Sequence, residues 1–345
     1  MRQGQNPAKM GLPAYKPKRL GIALLTYIPS REAYFAQSLE ILKYQIASIR
    51  RNTQEYDLLV FDNGSCLEVQ EEMRSLQNIG LIHFLVLSRF NLGKTGALNW
   101  ILASLQNELL CFADGDILFR SGWFEKTLEI LEAFPDAGLI SAQPCFFDAL
   151  RGKGKAHLTL QKDSRYTLTN ELLDLSDKEE YGHGIGLSLQ EMEGLNKSFC
   201  QVVEENNSGV RAVIGASHMQ FVMPREVARR VIPLPASFAL STDEDTRLNK
   251  NVDQAGFLHL STLKPYIYHI GNRLEQATME EIHQMGLASY LQDLPASQTV
   301  VTSMEISKSQ RSAVRFLNRM AKLPFLKKTL QRFYNLLFFY YSQVK

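Results

Sequence analysis

The chain has 345 residues, 45% of them hydrophobic and 21% charged, with 38 Lys and Arg set against 36 Asp and Glu for a net charge of +2. Such proportions exclude a disordered chain, and a balance this even singles out no polyanionic or polycationic partner. The longest strongly apolar run, Leu336 to Tyr341, is well short of the roughly 20 residues that a bilayer crossing takes. The first residues include lysines but no apolar stretch, so no secretory signal is expected, and the predicted location is cytoplasmic. Cys66, Cys111, Cys145 and Cys200 show no C-x-x-C spacing and read as free thiols in a reducing compartment.

Residues 1–18, with Pro13 and Pro17, read as a flexible lead-in. An alternation of strand and helix follows. Leu20 to Tyr27 is a short apolar run, broken by Pro29 and Ser30. Phe35, Leu39, Leu42, Ile46 and Ile49 recur at helical spacing. Tyr56 to Phe61 is a second strand, followed by a polar helix to about Asn78. Leu81 to Leu87 is a third strand, with a helix over Gly93 to Leu105. Glu108 to Ala113 is a fourth strand, Trp123 to Phe134 a helix, and Ala137 to Ala142 a fifth strand. Such alternation predicts an α/β fold: a mixed, mostly parallel sheet with helices on both faces. Periodicity fades between residues 145 and 210, which read as irregular, with His183 exposed in a loop. Order returns with two short strands in Arg211 to Met223. A helix over Thr242 to Ala255 is capped by Gly256. Two strands follow in Phe257 to His269, and the chain is mainly helical after Gln276.

Polar clusters stand at the carboxyl ends of the strands, where ligands of open α/β sheets bind. Asp62-Asn63-Gly64-Ser65 follows the second strand; as an Asx-turn it needs no ligand at all. Asn91 to Asn99 opens a helix with glycines and Lys94, a setting that favours an anion, although the spacing is not that of a Walker loop. Asp114 and Asp116 straddle Gly115. Two like charges about 4 Å apart repel by roughly 4 kcal/mol at an effective dielectric near 20, so a cation, water or a proton must offset them. With no Cys or His cluster nearby, a divalent ion with oxygen ligands suits the composition. Asp and Gly are also ordinary turn residues.

Taken together, T-Y after the first strand, D-N-G-S after the second, N-x-G-K-x-x-A-x-N, and D-G-D resemble a family 2 glycosyltransferase with the GT-A fold. So do Glu244-Asp245-Thr246-Arg247-Leu248 with Ala255-Gly256, and Tyr268-His269-Ile270-Gly271. The resemblance spans roughly residues 19–272. It implies that Thr26, Tyr27 and Asp62 line the base and ribose pocket of a nucleotide-sugar donor, with Asn91 and Lys94 near the nucleotide and its diphosphate. Asp114 would contact the ribose or the metal side, Asp116 and His269 would ligate Mn²⁺ or Mg²⁺, and Asp245 would be the general base of an inverting transfer. Two positions depart from the family pattern: Arg247 stands where a second Asp is usual, and Asn251 where a basic residue is common.

Trp123, His218 and Glu244 are acceptor-side candidates. Trp123 would equally begin a helix packed on the sheet, His218 would equally be a pocket wall, and Glu244 forms a capping box with Ser241. The organisation expected is a GT-A catalytic domain over 19–275, divided near 142 into a nucleotide-sugar half and an acceptor half, then a helical extension over 276–345. Residues 305–345 hold nine Lys or Arg and one acid, a net of +8, leaving −6 for the rest of the chain. With Phe325, Phe333, Phe338 and Phe339 among those charges, the extension reads either as a peripheral membrane contact near a lipid-linked acceptor or as a helix docking on the body or on another subunit. The acceptor could be a glycan, a lipid carrier or a small molecule, and no nucleic-acid partner is expected. A sugar-1-phosphate nucleotidyltransferase is the rival enzyme class. It should show a Gly-rich basic loop after the first strand, where Thr26 to Arg31 stand instead. A nucleotide-sugar-binding relative without catalysis is the third reading.

Overall fold

The structure, a computed structural model, describes residues 15–146, 154–195, 199–235 and 243–292, with the backbone alone for 193–195, 243–246 and 292. Most of the predicted lead-in and all of the extension beyond residue 292 lie outside the described residues.

The N-terminal half runs β1 (Leu20–Thr26), α1 (Ser38–Asn52), β2 (Tyr56–Asp62), α2 (Leu67–Asn78), β3 (Phe84–Leu87), α3 (Gly93–Ser104), β4 (Leu109–Asp114), β5 (Ile117–Phe119), α4 (Trp123–Ala133) and β6 (Ala137–Ser141). Then come α5 (Lys155–Leu160), β7 (Tyr166–Glu171), α6 (Leu175–Gly184), α7 (Leu189–Leu195), β8 (Cys200–Glu205), β9 (Arg211–Ile214), β10 (Gln220–Pro224) and α8 (Arg225–Val231). The last described elements are α9 (Asp243–Gln254), β11 (Leu258–Ser261), β12 (Ile267–His269), α10 (Gln276–Gln284) and α11 (Leu287–Gln292). Ten strands form one sheet in the order β3-β2-β1-β4-β10-β6-β11-β9-β8-β7, and β12 pairs with β5 in a separate ribbon. The β3-β2-β1-β4 portion is parallel throughout. β10 runs antiparallel between β4 and β6, so the sheet is mixed.

The apolar runs become strands buried on both faces. In β1, Leu20, Ile22 and Leu24 pack with Leu39, Leu42, Ile46 and Ile49 of α1 and with Val69 and Met73 of α2. Ala23, on the opposite face, packs with Ala97, Leu98 and Ile101 of α3. Helices therefore cover both faces. Gly21 is required here: a methyl group at that position would collide with the buried side chain of Asn107, which donates to Lys18 O at 2.9 Å and to Asp57 Oδ2 at 2.6 Å.

Three expectations are corrected. The third strand starts at Phe84 rather than Leu81, because Leu81 and Ile82 turn into the core as the connection leaving α2. The stretch from 145 to 210 contains α5, β7, α6, α7 and β8 rather than irregular chain. β7 lies at the sheet edge and buries only Tyr166 fully, so its pattern is mostly polar. α6 contains Gly182 and Gly184, each of which costs a helix about 1 kcal/mol relative to Ala. His183 sits in the last turn of that helix, its Nε2 3.1 Å from Glu275 Oε2, rather than in a loop.

Candidate active site

The carboxyl ends of β1 and β4 open into a cavity of about 310 Å³ lined by Thr26, Tyr27, Asp114, Asp116, His218 and His269, among others. Thr26 is buried, and its carbonyl accepts from Asn63 N at 2.8 Å. Tyr27 is exposed, with its ring edge-on to Phe35 at 6.1 Å. A methyl group at Gly115 would stand 3.1 Å from Leu25 O, so this turn passes too near β1 for a side chain.

α1 holds the turn from behind. Gln45 Nε2 donates to Asp114 O at 2.6 Å, Ser48 Oγ accepts from Phe119 N at 3.0 Å, and Asn52 Nδ2 donates to Phe119 O at 2.7 Å. The antiparallel register of β12 on β5 pairs His269 with Ile117, and Ile270 N donates to Asp116 O at 2.9 Å. That register brings His269 to Asp116 across 153 residues of sequence, with Nε2 to Oδ2 at 3.2 Å.

Each carboxylate of the pair thus has a partner from the chain itself. Lys94 Nζ donates to Asp114 Oδ2 at 2.7 Å, and both side chains are only about a quarter exposed. Burial opposes a charge on His269, but the Asp116 carboxylate against its ring, with Asp114 nearby, outweighs burial and the opposing Lys94 charge. The imidazole is held above its usual value. The protein therefore offsets much of the repulsion expected between the two acids without an added ion. Some of the bonding capacity is still unused. Asp116 Oδ1 and His269 Nδ1 are buried and find no partner among the described residues. Among those residues no group of three His, Cys, Asp or Glu side chains forms a complete metal cage. An orphaned carboxylate oxygen beside an imidazole fits a divalent ion that takes its remaining ligands from phosphate and water, as Mg²⁺ commonly does.

Other predicted residues lie elsewhere. Asp62 is fully buried, and its carboxylate accepts from Ser65 N at 3.1 Å and Gln70 Nε2 at 3.0 Å, which builds the turn after β2 rather than a wall of the cavity. Burial raises its pKa, opposed by the hydrogen bonds from Ser65, Gln70 and Gly64. Asn91 Oδ1 accepts from Gly93 N at 2.8 Å and from Asn63 Nδ2 at 3.0 Å, so it fastens the start of α3. Trp123 is not an acceptor platform. It is completely buried, edge-on to Phe119, with Nε1 donating to Thr53 Oγ1 at 2.8 Å. Asp245 and Glu244 lie on the first turn of α9, and their side chains are outside the described residues. The four cysteines are free; burial pushes the Cys111 thiol up to about 12, so it is no nucleophile.

Three further residues shape the site. Tyr34 lines the cavity on a short 3-10 turn, Ala33–Phe35. Gly184 packs against His269, where a methyl group would stand 2.6 Å from its carbonyl oxygen and 2.9 Å from Nδ1. Arg120 binds Glu180 of α6 at 2.8 Å and Glu281 of α10 at 2.7 Å, clamping both helices beside the β5–β12 ribbon. Of these only Arg120 left a trace in the sequence, as a basic residue closing an apolar strand directly after the acidic pair.

The architecture is a mixed α/β sheet with acidic residues and a lysine at its strand ends beside one cavity. Residues 30–189, a little under half of the chain, match the family model described as glycosyl transferase family 2. No curated protein sequence matches the chain. Among solved structures, it is similar to the mannosyltransferase PcManGT from Pyrobaculum calidifontis in complex with GDP-Man and Mn²⁺. The identity is 12% and the TM-score 0.42, over 92% of this chain and 85% of that one. TarS 1-349 from S. aureus is also 12% identical, with a TM-score of 0.41, over 85% of this chain and 77% of that one. Likeness at this level says nothing about the donor this chain uses.

Proposed function

We propose that the chain is an inverting glycosyltransferase that moves a sugar from a nucleoside diphosphate to an acceptor hydroxyl. The observation that carries this reading is the convergence of Thr26, Tyr27, Asp114, Asp116 and His269 on one cavity, with Lys94 bound to Asp114 at its edge. Thr26 and Tyr27, on the β1 side, would take the nucleoside. Lys94, already directed at the acidic turn, would face the diphosphate. Asp116 and His269 would hold Mn²⁺ or Mg²⁺, which when bound neutralises charge developing on the leaving diphosphate.

In the transfer, the acceptor oxygen bonds to the anomeric carbon from the face opposite the diphosphate. The bond to the diphosphate oxygen breaks, and its electron pair leaves with that oxygen. The hydroxyl proton passes to Asp245, whose carboxylate is a competent base only once the attacking oxygen has acidified in the transition state. Arg247, three residues before Lys250 on α9, donates from Nη1 to Pro235 O at 3.1 Å. In place of the family's usual acid, it therefore ties α9 to the preceding segment.

The test is Asp245→Asn. It should retain binding of the nucleotide-sugar while turnover falls by about 10²–10⁴, the range general base catalysis contributes. Transfer at the parental rate would place the base elsewhere.

A further inference from the structure

A second cavity, of about 670 Å³, opens beside the first and shares Tyr34, Asp116, Ile185, His269, Gly271 and Asn272 with it. Its remaining walls come from the end of α6, with the residues that follow, and from the 270–275 segment. We propose that this cavity is the acceptor site and that it takes a neutral saccharide, with Tyr34 as the stacking platform. The role as acceptor site rests on the donor reading above.

Three features select that chemistry. First, Tyr34 is 65% exposed yet firmly mounted. Its ring is edge-on to Phe35 at 5.0 Å, its carbonyl accepts from Asn272 Nδ2 at 3.2 Å, and the same turn is tied by Leu274 N donating to Gln37 Oε1 at 2.9 Å. A fixed aromatic ring offers an electron-rich face to the polarised C–H groups of a pyranose at little entropic cost. Second, the surrounding groups carry both signs and many hydrogen-bonding atoms. His183 and Glu275 meet across the cavity at 3.1 Å, and Arg273 and Asn272 stand on the same wall. Walls of mixed sign favour neither a polyanion nor a polycation, while imidazole, carboxylate, guanidinium and amide all suit hydroxyl groups. Ile185, Leu187 and Ile270 add apolar wall, but charged and amide groups are interspersed along it, a mixture that suits a saccharide better than a lipid chain. Third, Asp116 and His269 lie on the boundary, so a ring stacked on Tyr34 would present a hydroxyl to the donor cavity.

The experiment is ligand-observed saturation-transfer NMR on the full chain, using methyl glycosides of glucose, galactose, mannose and N-acetylglucosamine, with UDP and GDP titrated in parallel. At least one glycoside should bind. Tyr34→Ala should weaken it about tenfold or more, with Tyr34→Phe within about twofold. Arg273→Ala, which changes only the second cavity, should weaken the glycoside and leave nucleotide affinity unchanged. If no glycoside binds, or if Tyr34→Ala binds as well as the parent, the proposal is wrong. Glycoside binding without binding of either nucleotide in the parent chain would keep the saccharide site and overturn its role as acceptor, sinking the donor reading separately.

Discussion

Asp116 is kept at some cost to the fold. One of its oxygens is buried without a partner, and a buried unsatisfied polar atom typically costs about 1–3 kcal/mol. A divalent ion would relieve that cost and stabilise the folded chain by mass action, by about 2.7 kcal/mol at a hundredfold excess over its dissociation constant. Asp116→Ala also strips His269 Nε2 of its partner, so without divalent ions it should melt somewhat lower than the parent. It should also lack the rise in Tm that Mn²⁺ gives the parent. An equal rise in both proteins would mean that the ion binds elsewhere. At this scale the sequence was legible for residue type and not for role. Asp62 and Asp114 both end apolar strands and look alike locally, yet Asp62 is enclosed by Ser65 and Gln70 while Asp114 lines the cavity. Gln70 is eight residues along on α2 and Lys94 twenty residues away on α3, and a strand-end pattern carries no information about either.

Among the elements, α6 matters most to the site and was the least legible. Its glycines weaken the helical signal; Gly184 is required because β12 passes too close for a side chain, and Gly182 because Met192 and the Leu187 carbonyl do. Gly184→Ala would add a methyl group against the backbone carbonyl of His269, and that atom cannot swing aside. Overpacking of this kind typically costs about 1–3 kcal/mol. The variant should show that loss in urea denaturation. It should also show turnover reduced tenfold or more, since His269 must move from Asp116. Parental activity in a destabilised Gly184→Ala protein would show that α6 supports the fold without positioning the imidazole. By contrast α1 was legible, because Leu39, Leu42, Ile46 and Ile49 at helical spacing mark its buried face, although Phe35 of the same pattern falls in the 3-10 turn before it. What the pattern concealed was that Gln45 and Ser48 are buried on the same helix and serve the β4–β5 turn.

For the whole molecule, the charge asymmetry belongs to the covalent chain and needs no fold: +8 over residues 305–345 against −6 before them. Near an anionic bilayer each Lys or Arg contributes about 1 kcal/mol, screened beyond a Debye length. The full chain should therefore float with vesicles rich in phosphatidylserine at low salt, and a chain ending at Glu305 should not. Equal flotation of the two would assign the tail to a protein contact instead. No helix among the described residues is long and apolar enough to cross a membrane. The sequence by itself determined the alternation of strand and helix, the burial of both sheet faces and the strand ends at which polar residues gather. Those follow from periodicity and side-chain hydrophobicity, which are local. Tertiary structure alone decided which acids reach the cavity, because that depends on the register of β12 on β5 and on how closely α6 approaches. Both arise from contacts between residues far apart in the chain, whose pairing no local spacing encodes.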